Sequence, residues 1–220
     1  AMRHAGMPKI HPRNLLPVVP YAGTNYFNNM NDKFIEKPRF TNAMGMNVAD
    51  ELCGWLNPAC ERIEIAGSLR RRKPTVGDVE IVYIAKTEVR RNPNDMFADI
   101  TVNLVDEAIA ELEKTKVLVR RKNVFGSETF GVRNKYMSHQ ATGMPIDLFS
   151  TTPECWFNYL VCRTGPKESN TSICLAAQKL GWKWNPYGAG FSRGDEVRIM
   201  ESESAVFAFV GLPYNQREMS

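Results

Sequence analysis

Gly67-Ser68-Leu69-Arg70-Arg71 and Gly77-Asp78-Val79-Glu80 frame the stretch of sequence that decides the fold. A short β-like run, Ile63–Ile65, precedes the first segment, so the Gly-Ser pair falls in a turn directly after a strand. Such a turn can direct backbone N–H groups at phosphate oxygens, and arginine adds bidentate, charge-assisted hydrogen bonds. Taken alone, the pattern is weak, because a surface turn followed by basic residues is the commoner explanation. Its meaning depends on the acids that follow.

Those acids are Asp78 and Glu80, at the start of an apolar run from Val79 to Ala85 that predicts a buried strand. Residues i and i+2 of a strand point to the same face, so the two carboxylates converge. Unpaired negative charges in such an apolar strand are costly, and a bound divalent cation removes that cost. Carboxylate oxygens are hard ligands, so we expect Mg²⁺, with Mn²⁺ as the alternative.

A third acid, Asp147, stands alone in the apolar segment Pro145-Ile146-Asp147-Leu148-Phe149. One interpretation is an edge residue paired with an arginine. If this strand instead adjoins the one that bears Asp78 and Glu80, three carboxylates meet at one edge of a sheet. That arrangement suits two metal ions about 3.5 to 4 Å apart, on either side of an in-line phosphoryl displacement.

Composition restricts the alternatives. The chain has 220 residues and a net charge of only +4, but its basic residues cluster at Arg70–Lys73, Arg90–Arg91, Arg120–Lys122 and Arg133 with Lys135. Clusters of this kind indicate a surface that meets phosphates, although a solvated basic face is the simpler explanation. Five cysteines without a C-x-x-C pair, and only three histidines, argue against a zinc site or a disulfide framework.

No run of about 18 uncharged apolar residues and no signal peptide is visible, so we expect no membrane association. The expected location is the cytoplasm, a nucleus or an infected-cell equivalent.

The pattern of elements predicts an α+β protein. Residues 1–40, rich in Pro and Asn, indicate an extended N-terminal arm. A helix is predicted from Thr41 or Asn42 to Leu56, a polar loop over Thr87–Asp95, and a second helix over Met96–Lys114. Three β-rich segments follow, over residues 117–124, 129–139 and 144–149.

A change of composition near residue 150 divides the chain into a domain over residues 41–150 and a smaller one over 151–220. In the second, we expect helices over Trp156–Cys162, Asn170–Leu180 and Ser202–Val210, and a hairpin that pairs Trp182–Trp184 with Val197–Ile199.

Taken together, G-S-L-R-R, G-D-V-E, the I-D-L-F strand and Arg163-Thr164-Gly165-Pro166-Lys167-Glu168-Ser169-Asn170 resemble the palm and thumb signatures of the family X DNA polymerases, which include DNA polymerase beta. The resemblance extends from about Asn42 to the end of the chain, through Asn185-Pro186-Tyr187. It implies a nucleotidyltransferase palm, a mixed sheet with helices, followed by a small α+β thumb. The chain is similar to the minimal members of the family, which have only these two parts.

The resemblance also implies roles for individual residues. Asp78 and Glu80 would hold both metals, and Asp147 only the one that activates the primer 3′-hydroxyl. The residues implied to contact the triphosphate are Gly67, Ser68, Arg71 and Gly77. The residues implied to line the sugar and base of the nucleotide are Cys162, Arg163, Thr164, Gly165 and Asn170.

The sequence departs from the family pattern at three places. Glu80 stands where the family usually has aspartate, and Val76 where a phosphate-binding serine often occurs. Cys162 and Arg163 replace a bulkier Tyr-Phe pair that in DNA polymerase beta crowds the sugar 2′ position. We therefore hypothesise weak discrimination against ribonucleotides.

The function expected is that of a DNA-directed DNA polymerase, which extends a primer with release of pyrophosphate in short-gap repair. Its partners would be a nucleoside triphosphate and primer-template or gapped DNA, and we expect a monomer. One alternative is a template-independent nucleotidyltransferase that acts on an RNA end, a small molecule or a protein. Another is a nucleic-acid-binding module without activity, which the three retained acids disfavour.

Overall fold

The computed structural model describes residues 38–95, 97–122 and 126–215, which belong to one compact unit. The extended arm expected over residues 1–40 lies outside the described residues, except for its last three. Of these, Phe40 is in a short strand that pairs with Thr75–Val76.

Strands and helices alternate irregularly along the chain, as expected for an α+β protein. The strands are β1 (Phe40–Thr41), β2 (Cys60–Ile65), β3 (Thr75–Val76), β4 (Val79–Ala85), β5 (Thr87–Arg91), β6 (Asp99–Asn103), β7 (Leu118–Arg120), β8 (Asn134–His139), β9 (Pro145–Ser150), β10 (Lys183–Asn185), β11 (Gly190–Arg193) and β12 (Glu196–Ile199). The helices are α1 (Asn42–Leu56), α2 (Gly67–Arg70), α3 (Leu104–Lys114), α4 (Trp156–Thr164), α5 (Lys167–Lys179) and α6 (Glu203–Phe209).

The central sheet has five strands in the order β2-β4-β9-β8-β7. Its middle pair, β4 and β9, is parallel, and the other pairs are antiparallel. The sheet is therefore mixed, as predicted.

Each face of the sheet has its own core. Alternate residues of β4, Val79, Ile81 and Tyr83, are fully buried against α1 and α3. On the opposite face Val82 and Phe149 pack against α4. Because side chains alternate along a strand, Glu80, which stands between Val79 and Ile81, lies on the α4 face.

Side-chain caps define where the palm helices begin. The Thr41 hydroxyl accepts a hydrogen bond from the Met44 N–H at 3.2 Å, which fixes the start of α1. The Asn103 side chain accepts from the N–H groups of Val105 and Asp106, which fixes the start of α3.

The second cap explains one wrong prediction. Two strands stand where a loop over Thr87–Asp95 and a helix over Met96–Lys114 are predicted: β5 and β6 pair as an antiparallel ribbon, and the helix begins only after β6. The β-branched run Ile100-Thr101-Val102 favours a strand, and Asn103 then begins the helix. The apolar residues from Ile100 onward have the spacing of a helix, but only the residues from Leu104 onward are helical.

The hairpin predicted between Trp182–Trp184 and Val197–Ile199 is also wrong, because β11 lies between the two segments. Trp184 pairs with Phe191, and Phe191 pairs with Arg198 in the next strand. The segment Gly190–Arg193, which would lie in the loop of the predicted hairpin, supplies this central strand. With α5 and α6 the three strands enclose a separate core around Phe191.

Within the described part of the chain, every helix is too short or too polar to cross a membrane.

Candidate active site

The three predicted acids lie on one face of the central sheet. Glu80 in β4 is aligned with Asp147 in the parallel neighbour β9. Asp78 precedes Glu80 by two residues and therefore points to the same side. The sequence prediction that the Asp147 strand adjoins the Asp78–Glu80 strand is thus confirmed by the register of the sheet.

The electrostatics of the site follow from this crowding. Burial, and then the charges of Asp78 and Asp147, raise the pKa of Glu80 to about 8 against the opposing effect of Arg163 and Arg71. Burial also raises the pKa of Asp147, although Arg121 opposes the change. Carboxylates that raise one another's pKa in this way favour a cation between them.

Arg121 is a residue of this site that the sequence did not single out. Its Nη2 atom forms an ion pair with Asp147 Oδ1, and its Nε donates to the Met137 carbonyl at 3.1 Å. The guanidinium also stacks 4.9 Å from the ring centroid of Tyr136. The interpretation of Asp147 as an edge residue paired with an arginine is therefore correct for the arginine and wrong for the edge, because β9 is the middle strand of the sheet. Arg121 had been noted only as a member of the basic cluster Arg120–Lys122.

Gly67 and Glu80 are in direct contact. Gly67 has φ of +65°, and a Cβ atom added there would overlap the Glu80 carboxylate. Only glycine satisfies both requirements, the left-handed backbone and the close approach of the acid. The carboxylate of Glu80, which is predicted to hold the metal, thus requires glycine at position 67.

The next two arginines of the motif have different partners. Glu203 in α6 binds Arg70 through two hydrogen bonds of 2.7 and 2.6 Å, and Arg70 also donates to the Thr164 hydroxyl at 2.9 Å. Arg71 Nη1 donates to the Thr164 carbonyl. Both arginines therefore connect the turn after β2 to the C-terminal end of α4.

Polar atoms in this region are left without partners among the described residues. Arg71 Nε and Asn170 Oδ1 are buried and form no hydrogen bond. The Asn170 amide instead donates its N–H to the Cys162 carbonyl at 2.8 Å. A buried donor and a buried acceptor without partners are costly, and a ligand with both kinds of group would satisfy them.

Arg163 lies on the carboxylate side of α4. Its guanidinium carbon is 3.6 Å from the ring centroid of Phe149, 5.2 Å from Tyr187 and 5.4 Å from Tyr159. Burial alone would lower the pKa of Arg163, but a hydrogen bond to Tyr159 and the other neighbouring groups leave the pKa raised. Arg163 is therefore a fixed cation beside the acids, in addition to being in the segment predicted to line the nucleotide.

The remaining predicted residues line the same region. Ser68 is half-exposed in the turn, Gly77 directly precedes Asp78, and Thr164 and Gly165 are buried where α4 ends. Half-buried Cys162 shares a hydrogen bond with the Tyr187 side chain. The nucleotide roles implied for these residues stay predictions.

Several of the basic clusters are neutralised by acids of the chain itself. Arg90 binds Glu88 and Glu107 at 2.7 and 2.5 Å, and Arg120 binds Glu113 at 2.7 Å. Lys135 is buried, 2.9 Å from Asp106. These residues contribute less to a phosphate-binding surface than the sequence clusters indicated.

Asp78, Glu80 and Asp147 are not drawn together tightly enough to form a ready-made metal centre, nor is any other group of three His, Cys, Asp or Glu among the described residues. The donor set nevertheless fits a divalent cation. Three carboxylates share one sheet face, and burial raises the pKa of two of them, Glu80 and Asp147. Hard oxygen donors of this kind are those that Mg²⁺ and Mn²⁺ bind.

The mixed sheet with its acid pair, followed by a small helical and three-stranded unit, defines a polymerase palm-and-thumb fold of the family X kind. The resemblance to DNA polymerase beta is carried by two comparisons. Residues 159–219 match the family model described as DNA polymerase beta thumb. The fold is similar to that of Leishmania infantum polymerase beta in a ternary P/T complex, with a TM-score of 0.60 and 19% identity over 82% of this chain and 76% of that chain.

No curated protein sequence matches the chain significantly. The thumb match lies within residues 151–220, and the domain boundaries at residues 40 and 150 stay predictions.

Proposed function

We propose that the chain is a nucleotidyltransferase that acts as a DNA-directed DNA polymerase, adding nucleotides to a primer 3′-hydroxyl with release of pyrophosphate. The observation that carries the proposal is the alignment of Asp147 with Glu80 beside the turn at Gly67. Acids and a phosphate-binding turn on one sheet edge are the parts that phosphoryl transfer needs. The thumb match favours a primer-template or gapped DNA as the second substrate.

Asp78, Glu80 and Asp147 would hold the divalent cations, Mg²⁺ or Mn²⁺. When bound, such cations neutralise charge on the transferring phosphoryl group and activate the attacking hydroxyl. The chain's own residues bind and orient the substrates around them.

The turn and the end of α4 form the proposed nucleotide site. Arg71 is held by the Thr164 carbonyl, and its Nε is available for a phosphate oxygen. Asn170 Oδ1 is available for a donor on the sugar or base. Because Arg70 is engaged by Glu203, we assign the direct phosphate contact to Arg71 and the bracing of the turn to Arg70.

Primer extension tests the proposal. The protein is incubated with Mg²⁺ or Mn²⁺, a labelled primer on a gapped template, and single nucleotides. We expect incorporation of the nucleotide complementary to the template, and its loss in Asp147→Ala. Asp195→Ala, which removes an exposed acid from the β11–β12 turn, serves as the matched control and should retain activity.

Two other results contradict the proposal. Addition without regard to the template would indicate transfer to a different acceptor by the same acids. No incorporation with either metal would indicate a binding module without activity.

A further inference from the structure

The aromatic surroundings of Arg163 fix its charge in one place. The guanidinium stacks on Phe149 at 3.6 Å, and the rings of Tyr187 and Tyr159 lie beside it at 5.2 and 5.4 Å. Cation–π contacts of this kind are strongest where water is excluded, and Arg163 is largely buried. The side chain is thus held by its neighbours rather than directed into solvent.

That place is next to the carboxylates. Phe149 follows Asp147 by two residues on the same face of β9, and it is aligned with Val82, two residues after Glu80. A cation over Phe149 is therefore one step along the sheet from the Glu80–Asp147 pair. Its charge acts on both acids, lowering the pKa of each.

Arg163 has two companions on other elements. Arg121 forms an ion pair with Asp147, and the charge of Arg71 acts on Glu80. Within the described residues, three carboxylates therefore face three guanidinium groups. Because opposite charges cancel, a free divalent cation gains little on entering such a site, whereas a cation that arrives with a triphosphate brings its own negative charge.

We propose that Arg163 is a built-in counter-ion of the Asp78–Glu80–Asp147 site, which keeps the acids together before any cation binds and makes cation binding depend on the triphosphate. The inference rests on the proposed function and assigns Arg163 a second role besides lining the nucleotide. Arg163 acts through the carboxylates and is not itself a metal ligand.

Calorimetric titration of the full chain with MgCl₂ or MnCl₂, without nucleotide, tests the inference. We expect Arg163→Met to bind the cation at least about tenfold more tightly than the wild type, since one unit charge is removed from beside a divalent ion. Arg163→Lys retains the charge and should bind as weakly as the wild type. Arg163→Gln also removes the charge but keeps a polar side chain, and it replaces Arg163→Met in the test if the methionine variant does not fold.

Arg193→Met is the matched control, because Arg193 stacks on Trp182 at 4.5 Å at the end of β11, a strand that carries no predicted site residue. Its affinity should equal that of the wild type. Unchanged or weaker cation binding by folded Arg163→Met or Arg163→Gln overturns the inference, as does an equal gain in Arg193→Met.

The same titrations with a non-hydrolysable nucleoside triphosphate separate this inference from the proposed function. Absence of nucleotide-dependent cation binding in the wild type contradicts both. Normal nucleotide-dependent binding with no effect of Arg163→Met contradicts the counter-ion role alone.

Discussion

Glu203 binds both terminal nitrogens of Arg70, at 2.7 and 2.6 Å, across 133 residues of sequence. The two side chains are largely shielded from solvent, with exposed fractions of 12% and 18%. A hydrogen-bonded ion pair that is shielded from solvent stabilises the folded protein more than an ion pair at the surface does. The turn at Gly67 and helix α6 are therefore held together by the same ion pair.

We expect Glu203→Gln to lower the free energy of unfolding by about 1 to 3 kcal/mol, the range for losing hydrogen bonds to a charged group. Urea denaturation at neutral pH measures it. Glu196→Gln is the control, because Glu196 binds Arg193 and Arg198 at the solvent-exposed surface and its loss should leave the free energy of unfolding nearly unchanged. Equal losses in the two variants would contradict a bracing role for Glu203.

Gly67→Ala should destabilise the protein more than a glycine substitution elsewhere. Gly143 also has positive φ, +69°, but a Cβ there meets open space. We expect Gly143→Ala to cost about 1 to 2 kcal/mol from backbone strain alone, and Gly67→Ala about 1 to 3 kcal/mol more from the clash with Glu80.

Adding Glu80→Asp should recover part of the loss in Gly67→Ala, because aspartate is one methylene shorter and withdraws from the new Cβ. Chemical denaturation of the two single variants and the double variant, without divalent cations, tests this coupling. Additive losses would show that Glu80 is not the obstacle.

Sugar selectivity should be weak. Cys162 and Arg163 supply less bulk than the Tyr-Phe pair usual in the family, and we expect a kcat/KM preference for deoxy- over ribonucleotides below about a thousandfold. Single-nucleotide incorporation with matched pairs of nucleotides measures it. A preference well above that value would refute the hypothesis.

Tyr187 should account for part of whatever selectivity is measured, because its side chain shares a hydrogen bond with Cys162 and stacks edge-on with Tyr159 at 5.5 Å. We expect Tyr187→Ala to lower the deoxy preference. Val197→Ala, which shortens an exposed side chain of β12, should leave the preference unchanged.

His139 predicts a pH dependence of stability. Burial lowers its pKa below the ordinary 6.5, although Glu51 opposes the shift. The unfolded chain therefore takes up a proton before the folded protein does, and the free energy of unfolding falls as the pH drops below about 6.5. Denaturation from pH 7.5 to 5.5 should show this fall, and His139→Gln should reduce it. An identical pH profile in the variant would exclude His139 as a source.

The sequence was sufficient to predict those parts of the fold and of the candidate site that depend on the pattern of neighbouring residues. The apolar run after Asp78 predicted a buried strand, and the apolar neighbours of Asp147 marked it as an unusual position for an acid. Once the two strands are adjacent, the three carboxylates necessarily lie on the same face of the sheet. The ribbon of β5 and β6 was missed because Ile100 to Leu104 satisfies a helical spacing locally. Only the cap at Asn103 decides the matter.

Residues that act through long-range contacts could not be identified in the same way. Arg121 is adjacent in sequence to other basic residues, and nothing local distinguishes the one that reaches Asp147. Glu203 reads as an ordinary acid in the first turn of a helix, where the helix dipole already explains its presence. A contact between residues far apart in the chain produces no periodic pattern in the sequence.

The pairing of Arg70 with Glu203 also bears on synthesis. A ribosome releases the palm strands and the phosphate turn well before α6, and domains generally begin to fold as they emerge. During that interval Arg70 lacks its partner Glu203, so the nascent palm carries its acids and its turn without this ion pair. Assembly of the nucleotide site is therefore a late event of translation, completed only when the last helix docks.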